Sequence, residues 1–142
     1  MSDQLAQELA EDFNAVSLKD RLQLLLEFSE ALPELPSRYA DHPDLLERVE
    51  ECQSPVYLFT EVNDGLVSLF LTAPKEAPTT RGFASILHSL LDGRTTAEVL
   101  EFDDDFPSRL GLLEAVSALR LRGMSGMLRR IKRQVSEKLA EK

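Results

Sequence analysis

Residues 56–72 constrain this chain more than any other stretch. Val56, Leu58, Thr60 and Val62 alternate with Tyr57, Phe59 and Glu61, the period-two pattern of a strand. Asn63-Asp64-Gly65 follows, and Asp-Gly is a strong hairpin signal because both residues tolerate a positive φ. Leu66–Thr72 reads as the returning strand. Apolar residues fall on both faces, so the hairpin is expected to be covered on one side and partly on the other.

The flanks carry helical periodicity. Ser17-Leu18-Lys19-Asp20 resembles a capping box, and Leu18, Leu22, Leu25, Ser29 and Leu32, helped by Leu26, mark one helical face. Pro33 and Pro36 stop that helix. Residues 42–50 predict a short helical turn. Beyond the hairpin, Pro74 and Pro78 bracket an irregular segment. Thr79 or Thr80 is placed to cap a helix carrying Phe83, Ile86, Leu87, Leu90 and Leu91, which ends at Gly93. Thr95 and Glu98 form a second capping-box pattern. Phe106-Pro107 opens a segment with Leu110, Leu113 and Val116 on one face. Leu121, Met124, Leu128, Ile131, Val135 and Leu139 make a final long stripe. Helices, a small antiparallel sheet and more helices predict an α+β fold. The 142 residues, with no linker or internal repeat, predict one domain over 1–142.

Charge is unevenly placed. The formal net charge is −9, yet residues 120–142 hold eight basic and two acidic side chains. The remainder is strongly acidic, which argues against nucleic acid as a partner. The basic helix reads as a solvated amphipathic face, or as a charged face that meets one protein partner. No apolar run is long enough to span a membrane, and MSDQLAQELAEDF lacks the features of a secretory or transit leader. A soluble, cytoplasmic protein without a membrane partner is expected, as a monomer or weak homodimer.

Chemistry narrows to one residue. A glycine-rich phosphate loop, a GxSxG elbow and an HExxH motif are all absent from the sequence. Asp103-Asp104-Asp105 reads as a solvated turn, since three adjacent carboxylates rarely converge on an ion. His88 lies off the apolar stripe of its helix, and His42 precedes Pro43 in a loop. With one cysteine and two histidines in the chain, neither a disulfide, a structural zinc site nor a self-made iron–sulfur cluster is expected, and no resident metal or cofactor is called for. The cysteine is Cys52, within the polar run Glu50-Glu51-Cys52-Gln53-Ser54-Pro55 before a strand. Polar neighbours predict an exposed loop. The nearby Glu47, Glu50 and Glu51 should raise the thiol pKa, and no local base is offered to activate it. Such a thiol suits activation in another protein's active site.

Val49-Glu50-Glu51-Cys52-Gln53-Ser54-Pro55-Val56-Tyr57-Leu58 resembles the V-x-G-C-Q-S-x-V-W-L signature of the SufE-like sulfur acceptors. Leu32-Pro33-Glu34-Leu35 is similar to the family's L-P-E-L helix end, Gly82 stands at its helix-opening glycine, and Arg120-Leu121-Arg122-Gly123-Met124 with Met127 resembles R-x-x-G-[LM]-x-x-M. The chain departs from the family at Glu51, where a glycine is usual, at Tyr57 in place of tryptophan, in Ala73-Pro74-Lys75-Glu76, where the family is often more acidic, and at Leu119, where a proline-containing turn is common.

The resemblance implies a fold shared with IscU-type scaffolds and a sulfur relay. A pyridoxal-phosphate cysteine desulfurase would be the partner and sulfur donor, Cys52 would carry the sulfur as a persulfide, and an iron–sulfur scaffold would be the downstream acceptor. By the same resemblance Arg120, Gln53, Ser54 and Glu51 make up the partner-binding set: Arg120 docks the partner or positions the loop, and Gln53 and Ser54 shape the loop or cap the strand start. Two other readings stand beside this one: an interaction module that binds a desulfurase-like partner without thiol chemistry, and a cysteine-dependent enzyme with His88 as base.

Overall fold

The computed structural model of the protein describes residues 2–141, so Lys142, counted in the basic segment above, lies outside it. Two helices lead, α1 (Ser2–Asn14) and α2 (Leu18–Ala31). Sequence periodicity did not single out α1, whose buried anchors are Ala6 and Phe13. Ser17 caps α2 through its hydroxyl, which accepts the Asp20 N–H. Leu25, Ser29 and Leu32 are buried as expected, whereas Leu18 and Leu26 are exposed. The chain leaves α2 before Pro33 and makes the one-turn helix α3 (Ser37–Ala40).

The turn expected over 42–50 is only half right. Pro43–Leu45 form a 3-10 turn, and Glu47–Arg48 extend instead as the short strand β1. It pairs antiparallel with β2 (Tyr57–Asn63), which pairs antiparallel with β3 (Leu66–Thr72), giving the order β1-β2-β3. Asp64 and Gly65 make the tight turn with φ of 55° and 77°, as the Asp-Gly signal requires.

The two faces of the hairpin differ as the alternation predicts. Leu58, Thr60, Val67, Leu69 and Leu71 are buried under α4 (Pro78–Leu91) and α7 (Ala118–Ala140). On the opposite face Phe59 faces Phe70 across the strands. Tyr39 of α3 covers both rings, at 5.4 and 4.9 Å between centroids.

Between α4 and α7 come α5 (Thr96–Glu101) and α6 (Phe106–Arg109). The capping box at α5 forms in full: the Thr95 hydroxyl accepts the Glu98 N–H, and the Glu98 carboxylate accepts the Thr95 N–H. Helix α4 starts slightly earlier than expected. Ala77 is its N-cap and Pro78 occupies the first turn, where a missing N–H costs nothing. In the segment after Phe106, Leu110 and Leu112 are buried and Leu113 is 59% exposed, because α6 ends after one turn and the helical phase is lost. Leu121, Met124, Leu128, Ile131 and Val135 bury the stripe of α7, while Leu139 emerges near its end. The result is a three-stranded antiparallel sheet between helices, an α+β fold. Among the described residues no helix is long and apolar enough to cross a membrane.

Helix α2 lies directly against α4. A Cβ placed on Gly82 would come within 2.5 Å of the Leu25 carbonyl oxygen, so the bare backbone at 82 sets how closely the two helices pack.

Candidate functional site

Cys52 sits in the loop that joins β1 to β2. The loop has two fixed feet: Val49 donates its N–H to the Val56 carbonyl at 2.9 Å, and both side chains are fully buried. Within the loop the Cys52 N–H reaches the Val49 carbonyl at 3.1 Å, and the Val56 N–H reaches the Ser54 carbonyl at 2.9 Å.

The thiol is not exposed as its polar neighbours predict. Cys52 is buried, with 7% of its surface accessible. The reason lies far along the chain, in α7. A Cβ added to Gly123 would stand 2.9 Å from Cys52 Sγ, so the sulfur occupies the space that any other residue at 123 would fill. Glu50 and Gln53, beside it in the loop, are exposed.

The neighbouring Glu51 lies across Gly126, one helical turn on. A Cβ there would come within 2.7 Å of its carboxyl carbon. Arg130 donates to Glu51 Oε1 through Nε at 3.1 Å and Nη2 at 2.9 Å, and Arg129 reaches Oε2 at 3.3 Å. Arg130 is fixed from its other side by Glu47 of β1 at 2.6 Å. Glu47 also accepts from Arg133 and from Gln134 Nε2, the latter at 2.9 Å. The buried Gln134 accepts the Thr60 N–H at 2.8 Å, tying α7 to the central strand.

The basic helix is therefore largely self-neutralised: Arg129, Arg130 and Arg133 face Glu47 and Glu51, and Lys132 meets Asp104 at 2.7 Å. Arg120 and Arg122 are exposed, and neither side chain has a partner among the described residues.

These contacts set the titration of the site. Burial, then the Glu51 carboxylate, push the Cys52 thiol up to about 11, against a smaller opposing pull from Arg130 and Arg48. The direction matches the expectation from the acidic neighbours, though burial is the larger cause. Burial also acts to raise Glu51, but its own backbone N–H together with Arg130 and Arg129 outweighs it and holds the carboxyl below its ordinary value. At neutral pH the resting group is therefore the protonated thiol, not the reactive thiolate.

Next to the thiol is a cleft of about 290 Å³, lined by Glu51, Cys52, Gln53, Ser54, Glu76, Ala77, Pro78, Thr79, Thr80, Leu119, Arg120 and Gly123. Every residue of the expected site, Cys52, Arg120, Gln53, Ser54 and Glu51, lines this one cleft. The first turns of α4 and α7 also border it; Pro78 opens α4 without an N–H, and Ser117 caps α7 by accepting the Arg120 N–H. The side chains of Gln53 and Ser54 make no hydrogen bond among the described residues, so the strand start is held by the Ser54 carbonyl instead.

His88 lines a separate cleft with Asp92, Pro33 and Phe70, which removes it as a base for Cys52. Asp103 pairs with Arg109 at 2.8 Å and Asp104 with Lys132. No group of side chains among the described residues is arranged to hold a metal ion. The contribution of Gly126 and Arg130 escaped the sequence reasoning. Two glycines one turn apart inside a helix are its visible signal, since each costs about 1 kcal/mol relative to alanine unless something packs there.

Comparison with known proteins shows the family and the fold. The family model SufE, described as an Fe-S metabolism associated domain, matches residues 7–135. An uncharacterized SufE-like protein of Mycobacterium tuberculosis is 50% identical over 131 residues, 92% of this chain and 90% of that protein. A second uncharacterized SufE-like protein, from Rhizobium meliloti, is 29% identical over 126 residues, 85% of this chain and 86% of its own. The solution structure of a hypothetical protein from Thermus thermophilus has the same fold, with a TM-score of 0.81 at 36% identity, covering 95% of this chain and 96% of that one. The family expected from the residues around Cys52 is thus the family found across nearly the whole sequence: the chain belongs to the SufE family.

Proposed function

We propose that this protein is a sulfur acceptor and activator for a cysteine desulfurase, and that Cys52 is the atom-carrying residue. The observation that carries the reading is the position of the chain's single thiol, at the wall of a cleft that it shares with Arg120, Gln53, Ser54 and the carboxylates of Glu51 and Glu76. SufE membership supports a sulfur-transfer role; the donor, the acceptor and the persulfide are the finer parts of the proposal.

The desulfurase presents a sulfane sulfur on its own cysteine. The Cys52 thiolate attacks that outer sulfur. A new bond forms between Cys52 Sγ and the sulfane sulfur, and the bond to the desulfurase cysteine breaks. The electron pair stays on the desulfurase sulfur, which leaves as a thiolate and takes up the proton that Cys52 released. Two cysteines exchange one sulfur atom with no net oxidation, as in thiol–disulfide exchange. A thiolate of an iron–sulfur scaffold then attacks the outer sulfur of the Cys52 persulfide; its bond to that sulfur forms as the bond to Cys52 Sγ breaks, and Cys52 leaves as a thiolate.

A resting thiol at about 11 gives this step its order. Cys52 must leave Gly123 before it reacts, and once away from Glu51 and the low-dielectric floor its thiolate becomes accessible. With His88 outside the cleft, proton removal falls to the partner. The protein is an accessory to the desulfurase rather than a self-sufficient enzyme. Arg120, exposed and unpartnered among the described residues at the mouth of the cleft, docks the partner, and Gln53, Ser54 and Glu51 form the segment it grips.

Intact mass after incubation with a desulfurase and free cysteine tests the reading. A gain of about 32 Da, one sulfur atom, is expected on the protein and absent from Cys52→Ser. Cys52→Ser is also expected to lose the enhancement of sulfide release. If that variant still enhances release and no adduct forms, the protein is a binding module without thiol chemistry.

A further inference from the structure

Of the side chains in the loop from Glu50 to Pro55, Glu51 is the one whose polar atoms are tied to the body of the protein. Glu50 is exposed, with no partner among the described residues, and Gln53 and Ser54 make no side-chain hydrogen bond there. The tie is built rather than incidental. Gly126 leaves the space in which the Glu51 carboxylate lies. Arg130 meets it with two N–H groups and is itself anchored on β1 by Glu47. Cys52 follows directly and seals against Gly123. The side chains of Glu51 and Arg130 are 30% and 21% exposed, so the pair remains within reach of dissolved ions.

We propose that Glu51 and Arg130 are positioning residues for sulfur transfer, forming a polar latch that holds the Cys52 loop shut and sets how often the thiol is presented. The proposal rests on the sulfur-acceptor reading for its purpose but not for its physics. Opening the loop separates Glu51 from Arg130 and Arg129 while Arg130 keeps Glu47, so the break occurs at a defined seam. A partner that binds only the open form shifts the equilibrium by its preference for that form. Weakening the latch raises the open population; removing Glu51 also takes away a charge that raises the thiol, and removing Arg130 one that lowers it, so faster labelling in both variants reports opening rather than titration.

The test is the labelling rate of Cys52 by a disulfide reagent in the isolated protein, at about 0.05 M and about 0.5 M salt. Wild type is expected to label faster at the higher salt. Glu51→Ala and Arg130→Gln are expected to label roughly five- to tenfold faster at low salt, with the salt response largely gone. A general loosening of the fold would also raise labelling but would leave the salt response in place, and a thermal melt of each variant identifies it. Wild-type rates with the wild-type salt response in Glu51→Ala overturn the latch. So does an accelerated variant that keeps that response. Mass analysis with a desulfurase separates the two proposals. Faster labelling with no sulfur adduct keeps the latch and removes the acceptor reading, whereas an adduct with unchanged labelling does the reverse.

Discussion

Gly123 and Cys52 share one space: a side chain at 123 would begin 2.9 Å from the sulfur. Gly123→Ala therefore sets two effects against each other. Alanine favours the helix by about 1 kcal/mol, while crowding a packed site costs about 1–3 kcal/mol. A small net loss of stability is expected, together with a thiol that labels faster because the sulfur has been displaced. A melt and a labelling rate that both match wild type would show that the sulfur does not rest on this glycine.

The high pKa of Cys52 predicts an alkaline labelling profile. The rate should climb with pH toward a midpoint near 11, while in denaturant it should level off near the ordinary thiol value of about 8.5. A thiol raised by folding adds stability that is complete below the unfolded pKa and is lost as pH rises toward the folded one. Stability should thus decline between those values, and Cys52→Ala should flatten the decline.

Acid should act through Glu47 and Glu51. Burial pushes Glu47 up, but Gln134, Arg130 and Arg133 outweigh it, and its carboxyl, like that of Glu51, is held below the ordinary range. Depressed carboxylates contribute stability that is present above their unfolded pKa and lost as pH falls through the folded values. Melting temperature measured from pH 7 downward should fall, and fall less steeply in the Glu47→Gln/Glu51→Gln double variant. An identical slope in that variant would assign acid sensitivity to other groups.

Gly65 isolates the backbone requirement of the hairpin. Its φ is +77°, and a Cβ there would touch nothing within 4 Å, so only the dihedral opposes substitution. Gly65→Ala should cost about 1 kcal/mol, and Gly65→Asn less, because asparagine enters the left-handed region more readily. Urea midpoints at unchanged slope measure both.

The hairpin was legible in the sequence because its turn is dictated by two adjacent residues that accept φ above zero. The stripes of α4 and α7 were legible because their periodicity is local. What escaped depends on distant contacts. Glu47–Arg48 form a strand only because β2 lies beside them, and two polar residues announce no such pairing. The polar run around Cys52 reads as exposed, since nothing near it reveals Gly123. The arginines of α7 read as a solvated face, and Arg120, Arg122, Arg129 and Arg133 are exposed; what the sequence did not announce is that Arg129, Arg130 and Arg133 also meet carboxylates brought in by β1 and the loop after it. The five residues expected at the site do converge, since four of them lie in one short segment and the fifth, Arg120, stands one turn before Gly123.

The hydrogen bond that closes Val49 onto Val56 also fixes a radius. A chain extends by at most about 3.5 Å per residue, so Cys52, three residues past Val49, can travel roughly 10 Å from that foot and no further. This thiol is on a short tether rather than a swinging arm. For the proposed sulfur transfer, the donor has to carry its own reactive cysteine to the rim of the cleft, and the distance between the two folded bodies at the moment of exchange is limited by this loop's length.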